Sequence, residues 1–315
     1  MLLPPKEKYL NPYTDFGFKK LFGTTANKEL VIDFLNQLIP EGGTITDLEF
    51  LSSEHLGRTQ IERKAVFDIY CKNKKGERFI VEMQKAEQSY FKDRSVYYST
   101  FPIQEQAKSG KWDYELKAVY FVGILDFVFD ENKEDKEVFH HEVRLIDTKT
   151  NKIFYDKLTY IYLEMPKFNK TEEEIDNLFD KWLYVLKFLP KFQERPKILK
   201  EHIFNKLFQV AELAKLTPAE VRSYEESLKA YRDNINVVDT ARKKGLKEGL
   251  TRGKREGEAI GLEKGEAIGL EKGKAEGKAE VKAEVAKSLS KMGLPLAQII
   301  EATGLSEAEI TQILK

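Results

Sequence analysis

The stretch FDIYCKNKKGERFIVEMQ, Phe67 to Gln84, reads as two short strands around a tight turn, and its three acidic and amide residues decide what kind of sheet it builds. Successive side chains of a strand alternate faces. On the first strand Val66, Asp68 and Tyr70 share one face and Phe67, Ile69 and Cys71 the other. On the second, Ile80, Glu82 and Gln84 oppose Phe79, Val81 and Met83. One face is wholly apolar and belongs to a core, while the mixed face collects Asp68, Glu82 and Gln84. The turn fixes the register. KKG at 74–76 suits a three-residue loop with Gly76 in the left-handed conformation, closing on a bulge. Asn73 then pairs with Glu77 and, counting back, Asp68 with Glu82, with Cβ atoms about 4.5–5.5 Å apart. A two-residue loop at Lys75–Gly76 would instead oppose Asp68 to Met83, polar against apolar. Facing carboxylates repel unless a cation lies between them, and a divalent ion with oxygen ligands meets that need. The plainer alternative is a hairpin whose mixed face is simply wet.

Outward from the hairpin, NKELVIDFLNQLI spaces Leu30, Val31, Phe34, Leu35 and Leu38 as an amphipathic helix, and ITDLEFLS follows as a strand. Beyond the hairpin, KAEQSYFKDRSVYYSTFPIQEQAKSG is a polar helical stretch that Pro102 interrupts or kinks. LKAVYFVGILDF reads as a buried strand, and FHHEVRLID and LTYIYLEM as two more. Helices and strands in this order predict an α/β domain with a mixed sheet over residues 1–165. A helical region follows over 166–243, where Ile175, Leu178, Phe179, Trp182, Leu183, Leu186 and Leu189 form one stripe that Pro190 ends.

Residues 244–287 form a charged repeat in which nine glycines fall at every fourth position from Gly245 to Gly277, with EAIGLEKG occurring twice. Nine interior glycines cost an isolated helix about 7–9 kcal/mol relative to alanine, so a flexible charged spacer is expected, with close helix pairing between two chains as the alternative. Residues 288–315 read as two short helices joined at TGLS, with Gly304 at the turn and Ser306 as N-cap. The outline is that of a helix-turn-helix, but its second helix offers Glu307, Glu309, Thr311 and Gln312 and no arginine, which favours packing or association over DNA reading.

The 315 residues carry 52 Lys and Arg against 52 Asp and Glu, so a nucleic-acid surface has to be a local basic patch. The single cysteine, Cys71, excludes a disulfide framework and fits a reducing compartment. His55, His140, His141 and His202 lack zinc-site spacing. No apolar run approaches the roughly 18 residues a membrane span needs. The opening MLLPPKEKYLNPYTDFGF has no basic-then-apolar signal pattern, and a cytoplasmic location is expected.

The hairpin resembles the Asp…Glu-x-Lys signature of PD-(D/E)xK nucleases. More narrowly, TDFGFKKLFG at 14–23, the hairpin itself, FKDRSVYYS at 91–99, WLYVLKFL at 182–189 and the glycine-periodic tail with its GLS terminus are similar to the Rpn family of recombination-promoting nucleases and transposases. The resemblance covers nearly the whole chain. It implies a restriction-endonuclease-like α/β core, followed by an α-helical region and the glycine-periodic tail. It implies Asp68 and Glu82 as ligands of Mg2+ or another divalent cation such as Mn2+, and Gln84 in the place most of these nucleases give to lysine. Asp15 resembles the acidic residue that some members add to the site; its alternative is a helix N-cap. The implied activity is hydrolysis of DNA phosphodiester bonds with little sequence preference, in recombination or transposition, by a homodimer because one such site cuts one strand. Lys92, Arg94, Tyr97 and Tyr98 are candidates for DNA contact on a helix crossing the site, or else a solvated face with half-buried tyrosines. The tail is a candidate for self-association.

Overall fold

The computed structural model describes residues 7–39, 43–52, 54–55, 65–88, 90–107, 110 and 113–315. The opening residues 1–6 and the end of the polar helical stretch at 108–109 lie outside these. The chain forms two compact units, Met1–Asp239 and Thr240–Lys315.

The hairpin is the centre of the first unit. β4 (Ile69–Asn73) and β5 (Arg78–Gln84) pair antiparallel, with Tyr70 opposite Ile80 and Lys72 opposite Arg78, which is the register expected from the three-residue loop. Gly76 sits at φ +83° and the Asn73 amide donates to the Glu77 carbonyl at 3.0 Å. β1 (Leu48–Phe50) adds antiparallel to β4, while β6 (Val119–Leu125) adds parallel to β5 on the other side. β8 (Lys152–Glu164) runs parallel to β6, and β7 (His140–Asp147) closes the sheet antiparallel to β8. The six-stranded order is β1-β4-β5-β6-β8-β7; β2 (Glu54–His55) and β3 (Ala65–Val66) form a separate ladder. This is the expected mixed sheet.

Helices cover both faces. α1 (Asp15–Phe22), α2 (Lys28–Leu38), α4 (Leu178–Phe188) and α5 (His202–Ala211) bury their apolar stripes with Ile69, Cys71, Val81, Val122 and Ile161 in one core. Trp182 is fully buried there and donates its indole N–H to Asp33 Oδ1 at 2.6 Å. The expected stripe starts late: Ile175 is buried ahead of the helix, which begins at Leu178 behind its Asn177 cap.

The opposite face is not wet. α3 (Phe91–Gln104), the crossover from β5 to β6, lies over Tyr70, Ile80, Phe121, Tyr160 and Tyr162. Pro102 sits inside its last turn without ending it. Phe67 joins this second core and not the first, against the strict alternation expected from the sequence. The reason is local: β3 ends at Val66 and β4 starts at Ile69, so residues 67–68 leave the ladder and their side chains are free of the pleat.

α6 (Pro218–Lys291) is one helix of 74 residues that runs through the glycine repeat, where a flexible spacer was the expectation. Between successive glycines stand mostly Leu, Ala, Glu, Lys and Arg, the strongest helix formers, and the pairs Arg252–Glu256 and Lys254–Glu258 add i,i+4 support. In the second unit, α7 (Leu296–Thr303) and α8 (Glu307–Leu314) pack Ile299 and Ile310 on Ala286. Gly304 takes the left-handed C-cap at φ +64°, and Ser306 and Glu309 form a capping box, the roles their positions predict.

Candidate active site

Gln84, Leu125 and Glu164 stand side by side at the C-terminal ends of the parallel strands β5, β6 and β8. That end of the sheet, with the break before β4, sets the site. Because residues 67–68 leave the ladder, the Asp68 backbone amide is free to donate to Glu82 Oε1 at 3.1 Å. Asp68 Oδ2 in turn accepts from the Met83 amide at 2.8 Å. The two acids are thus clamped to each other's strands. Each keeps one oxygen, Asp68 Oδ1 and Glu82 Oε2, with no hydrogen-bond or ion-pair partner among the described residues.

Burial makes this arrangement costly. Desolvation, reinforced by the Asp68 charge, pushes the Glu82 carboxyl up to about 8. Asp68 is raised as well, chiefly by burial. Gly123 lies beside Glu82 in the β5–β6 register, and a Cβ there would come within 3.1 Å of the Tyr162 ring, so the position next to Glu82 stays without a side chain.

Cations approach from two helices. From α3, Arg94 donates to Gln84 Oε1 and to Gln88 Oε1, stacks over the Phe91 and Tyr98 rings, and its charge acts on Glu82. Gln84 spends its amide N–H on the Ala86 carbonyl at 2.9 Å. Both ends of that side chain are therefore engaged within the protein. From α1, Lys19 pairs with Asp15 at 2.9 Å, and its charge reaches both Asp68 and Glu82. Sequence reasoning had no signal for Lys19, since its relation to residues about 50 positions away exists only after folding. Lys85 follows β5 on the α1 side, as alternation predicts, and still acts on Asp68 from there. Asp15, Lys19 and Lys85 line a cleft of about 570 Å³ that Glu220 and Ser227 of α6 border.

Asp15 is not the helix cap. Thr14 caps α1, accepting from the Gly17 amide at 3.0 Å, and Asp15 is the first helical residue, where its charge raises Asp68 further. Among the four α3 candidates, Tyr98 lies near the pair, with its hydroxyl raised chiefly by burial and then by Glu82. Tyr97 packs edge-on against Phe101, and Lys92 pairs with Glu131 over the Phe129 ring. His140 and His141 lie on β7, away from this cluster, and His55's side chain lies outside the described residues.

Oxygen donors are what a hard divalent cation takes, and a buried and a half-buried carboxylate, each partly unpartnered, are what such an ion would neutralise. The donor chemistry fits. Among the described residues no group of three or more His, Cys, Asp or Glu forms a complete ligand set, so water and substrate oxygens would have to fill the remaining positions.

A mixed α/β sheet with an Asp…Glu-x-Gln constellation at one end of its central hairpin defines a nuclease-like core of the PD-(D/E)xK kind. A family model described as PD-(D/E)XK nuclease family transposase matches residues 12–241. The chain belongs to that family. No curated protein and no solved structure shows a significant match. Among the described residues no helix is long and apolar enough to cross a membrane.

Proposed function

We propose that the protein is a metal-dependent DNA endonuclease that hydrolyses phosphodiester bonds with little sequence preference, in the service of recombination or transposition. The observation that carries this reading is the Asp68–Glu82 pair: two neighbouring carboxylates, Glu82 buried and Asp68 half-buried, cross-clamped by backbone amides, each with one oxygen left over. Asp68 and Glu82 are the residues to hold Mg2+ or Mn2+, which when bound would polarise the scissile phosphate and lower the pKa of a coordinated water. The chain's own residues supply the rest. Gln84 is committed to Arg94 and Ala86, so its role is to anchor Arg94 beside Glu82, where a guanidinium is suited to a phosphate oxygen. Lys19 and Lys85 offer positive charge from the opposite side, replacing the charge that glutamine cannot give. Asp15 holds Lys19 in place by their i,i+4 ion pair.

The test is cleavage of supercoiled plasmid with Mg2+ or Mn2+ by wild type, Asp68→Ala and Glu82→Ala proteins of matched stability. Wild-type nicking that both variants lose is the expected result. Equal behaviour of all three would refute the assignment and favour a nuclease-like fold that only binds DNA or protein.

A further inference from the structure

α3 turns one stripe, Phe91, Ser95, Ser99 and Pro102, down onto the sheet. A second stripe runs beside it. Tyr90 at the N-cap, Arg94, Tyr97, Tyr98 and Phe101 stand at i, i+4, i+7, i+8 and i+11, the spacing of one helix face. Their planar groups adjoin one another. Arg94 lies over the Tyr98 ring at 5.8 Å, the Tyr97 and Tyr98 ring centroids are 6.4 Å apart, and Tyr97 meets Phe101 edge-on at 5.2 Å. Phe67, the neighbour of Asp68, packs edge-on against Tyr98 at 5.1 Å. The stripe therefore passes the carboxylate pair, and both Arg94 and Tyr98 interact electrostatically with Glu82.

Two of its rings are open to solvent: Tyr90 is 80% exposed and Tyr97 45%. Among the described residues the Tyr90 side chain has no hydrogen-bond, ion-pair or ring partner. Its backbone is left-handed at φ +65°, although the N-cap of a helix ordinarily takes the extended region. A non-glycine residue held there is strained, and such strain gathers at ligand clamps and active sites. We propose that this stripe is a stacking platform for unpaired DNA, which makes a single-stranded or locally melted strand the substrate of the nuclease proposed above, on whose reading the inference rests. Exposed tyrosines interleaved with an arginine suit nucleobases, whose faces stack on rings and on a guanidinium. A protein helix in a groove would call for aliphatic anchors, and the stripe has none. In a duplex the base faces are already stacked on one another, so only an unpaired strand can offer them. From Tyr90 to Tyr97 the helix advances about 10 Å, the rise of about three nucleotides, and the phosphates of that run come beside Asp68 and Glu82. Lys92 falls outside the stripe and pairs with Glu131.

The test is fluorescence anisotropy of labelled oligonucleotides with the full-length protein in chelator, so that no strand is cut. A mixed-sequence single strand of about twelve nucleotides should bind at least about 10-fold tighter than the same strand annealed to its complement. Tyr90→Asn removes the ring yet tolerates the left-handed backbone, and should weaken single-strand binding by about 5–150-fold, the worth of one stacked base, with duplex binding unchanged. Tyr90→Trp should retain the affinity. Tyr97→Ala should cost a similar factor, and because Tyr97 also packs on Phe101 it is read beside Tyr90→Asn, which disturbs no packed ring. Equal affinity for the two forms, or single-strand binding that survives both Tyr90→Asn and Tyr97→Ala, would overturn the proposal. Plasmid cleavage separates it from the hydrolysis. Nicking by a protein that binds both forms alike overturns the platform alone, whereas ring-dependent single-strand binding without nicking supports the platform and overturns the hydrolysis.

Discussion

Glu82 gives the architecture a measurable cost. Burial and the neighbouring Asp68 hold its carboxyl at about 8 in the folded chain, whereas an unfolded glutamate titrates near about 4.3. Between those values the folded state keeps a proton that the unfolded state has released, so stability falls as pH rises. The slope is at most about 1.4 kcal/mol per pH unit, which amounts to about 2–3 kcal/mol between about pH 5.5 and 7.5. Below the window both states are protonated, and above it both are ionised, so the slope is confined there. Asp68 is raised too, and the two titrate as a pair. Asp126, held up to about 6 by burial, adds to the lower half of the same window, so the informative quantity is the difference between wild type and Glu82→Gln. The assay is urea unfolding followed by tryptophan fluorescence across this pH range with chelator present. Glu82→Gln keeps the acceptor for the Asp68 amide and should be the more stable protein at pH about 7.5 by that margin, with a flatter profile. Millimolar Mg2+ or Mn2+ should restore wild-type stability mostly at the high end, because cation binding requires the deprotonated pair, and should do nothing for Glu82→Gln. Parallel profiles for the two proteins would refute the reasoning, since they would mean that the carboxylate is solvated.

Three further outcomes follow from single contacts. Arg94→Gln removes the charge that favours the ionised form of Glu82, so the loss of stability should extend to higher pH, and plasmid nicking should fall by about 10²-fold, with Arg94→Lys recovering part of it. Tyr231→Phe deletes the hydroxyl that donates to Asp126 Oδ2 at 3.1 Å and should cost about 1–3 kcal/mol at pH about 7.5 but less at pH about 5, where Asp126 is protonated; calorimetric melts at the two pH values decide it. In α6 an added Cβ at Gly261, Gly265 or Gly269 would meet nothing within 4 Å, so alanine at each should stabilise the helix by about 0.8–1.0 kcal/mol in circular-dichroism melts, and a drop would show that another molecule packs on that face.

Much of this was legible in the sequence because it was local. Gly76 and the spacing of the loop were enough to set the β4–β5 register, and Gly304 and Ser306 were enough to place the last turn. What the sequence hid was hidden for physical reasons. α3 looks polar in sequence because it buries Phe91, Ser95, Ser99 and Pro102, and two of those are hydroxyl residues. Ser95 and Ser99 pack by hydrogen-bonding the buried hydroxyls of Tyr162 and Tyr160, at 2.6 and 2.7 Å, so the helix face that covers the sheet carries little hydrophobic signal. The misplacement of Phe67 came from a two-residue break in the ladder, which alternation cannot show. Lys19 joins the pair only through the tertiary contact of α1, whereas Arg94 is already a candidate from the sequence. In the glycine repeat the cost of the glycines is local, while three of every four residues are other types, mostly strong helix formers.

The same two covers explain why the acids stay where they are. A hairpin with one open face would let Asp68 and Glu82 hydrate and lose most of their mutual repulsion. Here α3 seals the face below them through Tyr70, Ile80 and Phe121, while α1, capped by Thr14, brings Asp15 and Lys19 up to the edge. α1 is itself held by the first turns of α6: Ser227 Oγ accepts from the Phe16 amide at 3.1 Å, Tyr224 Oη accepts from the Asn11 amide at 2.9 Å, and Lys20 pairs with Glu220. Glu82 is thereby buried, while Asp68 stays half-buried. The raised Glu82 carboxyl holds a proton through neutral pH, and a cation taking its place would let both carboxylates ionise. On the proposed function a divalent cation, and not a better packed core, completes these two carboxylates.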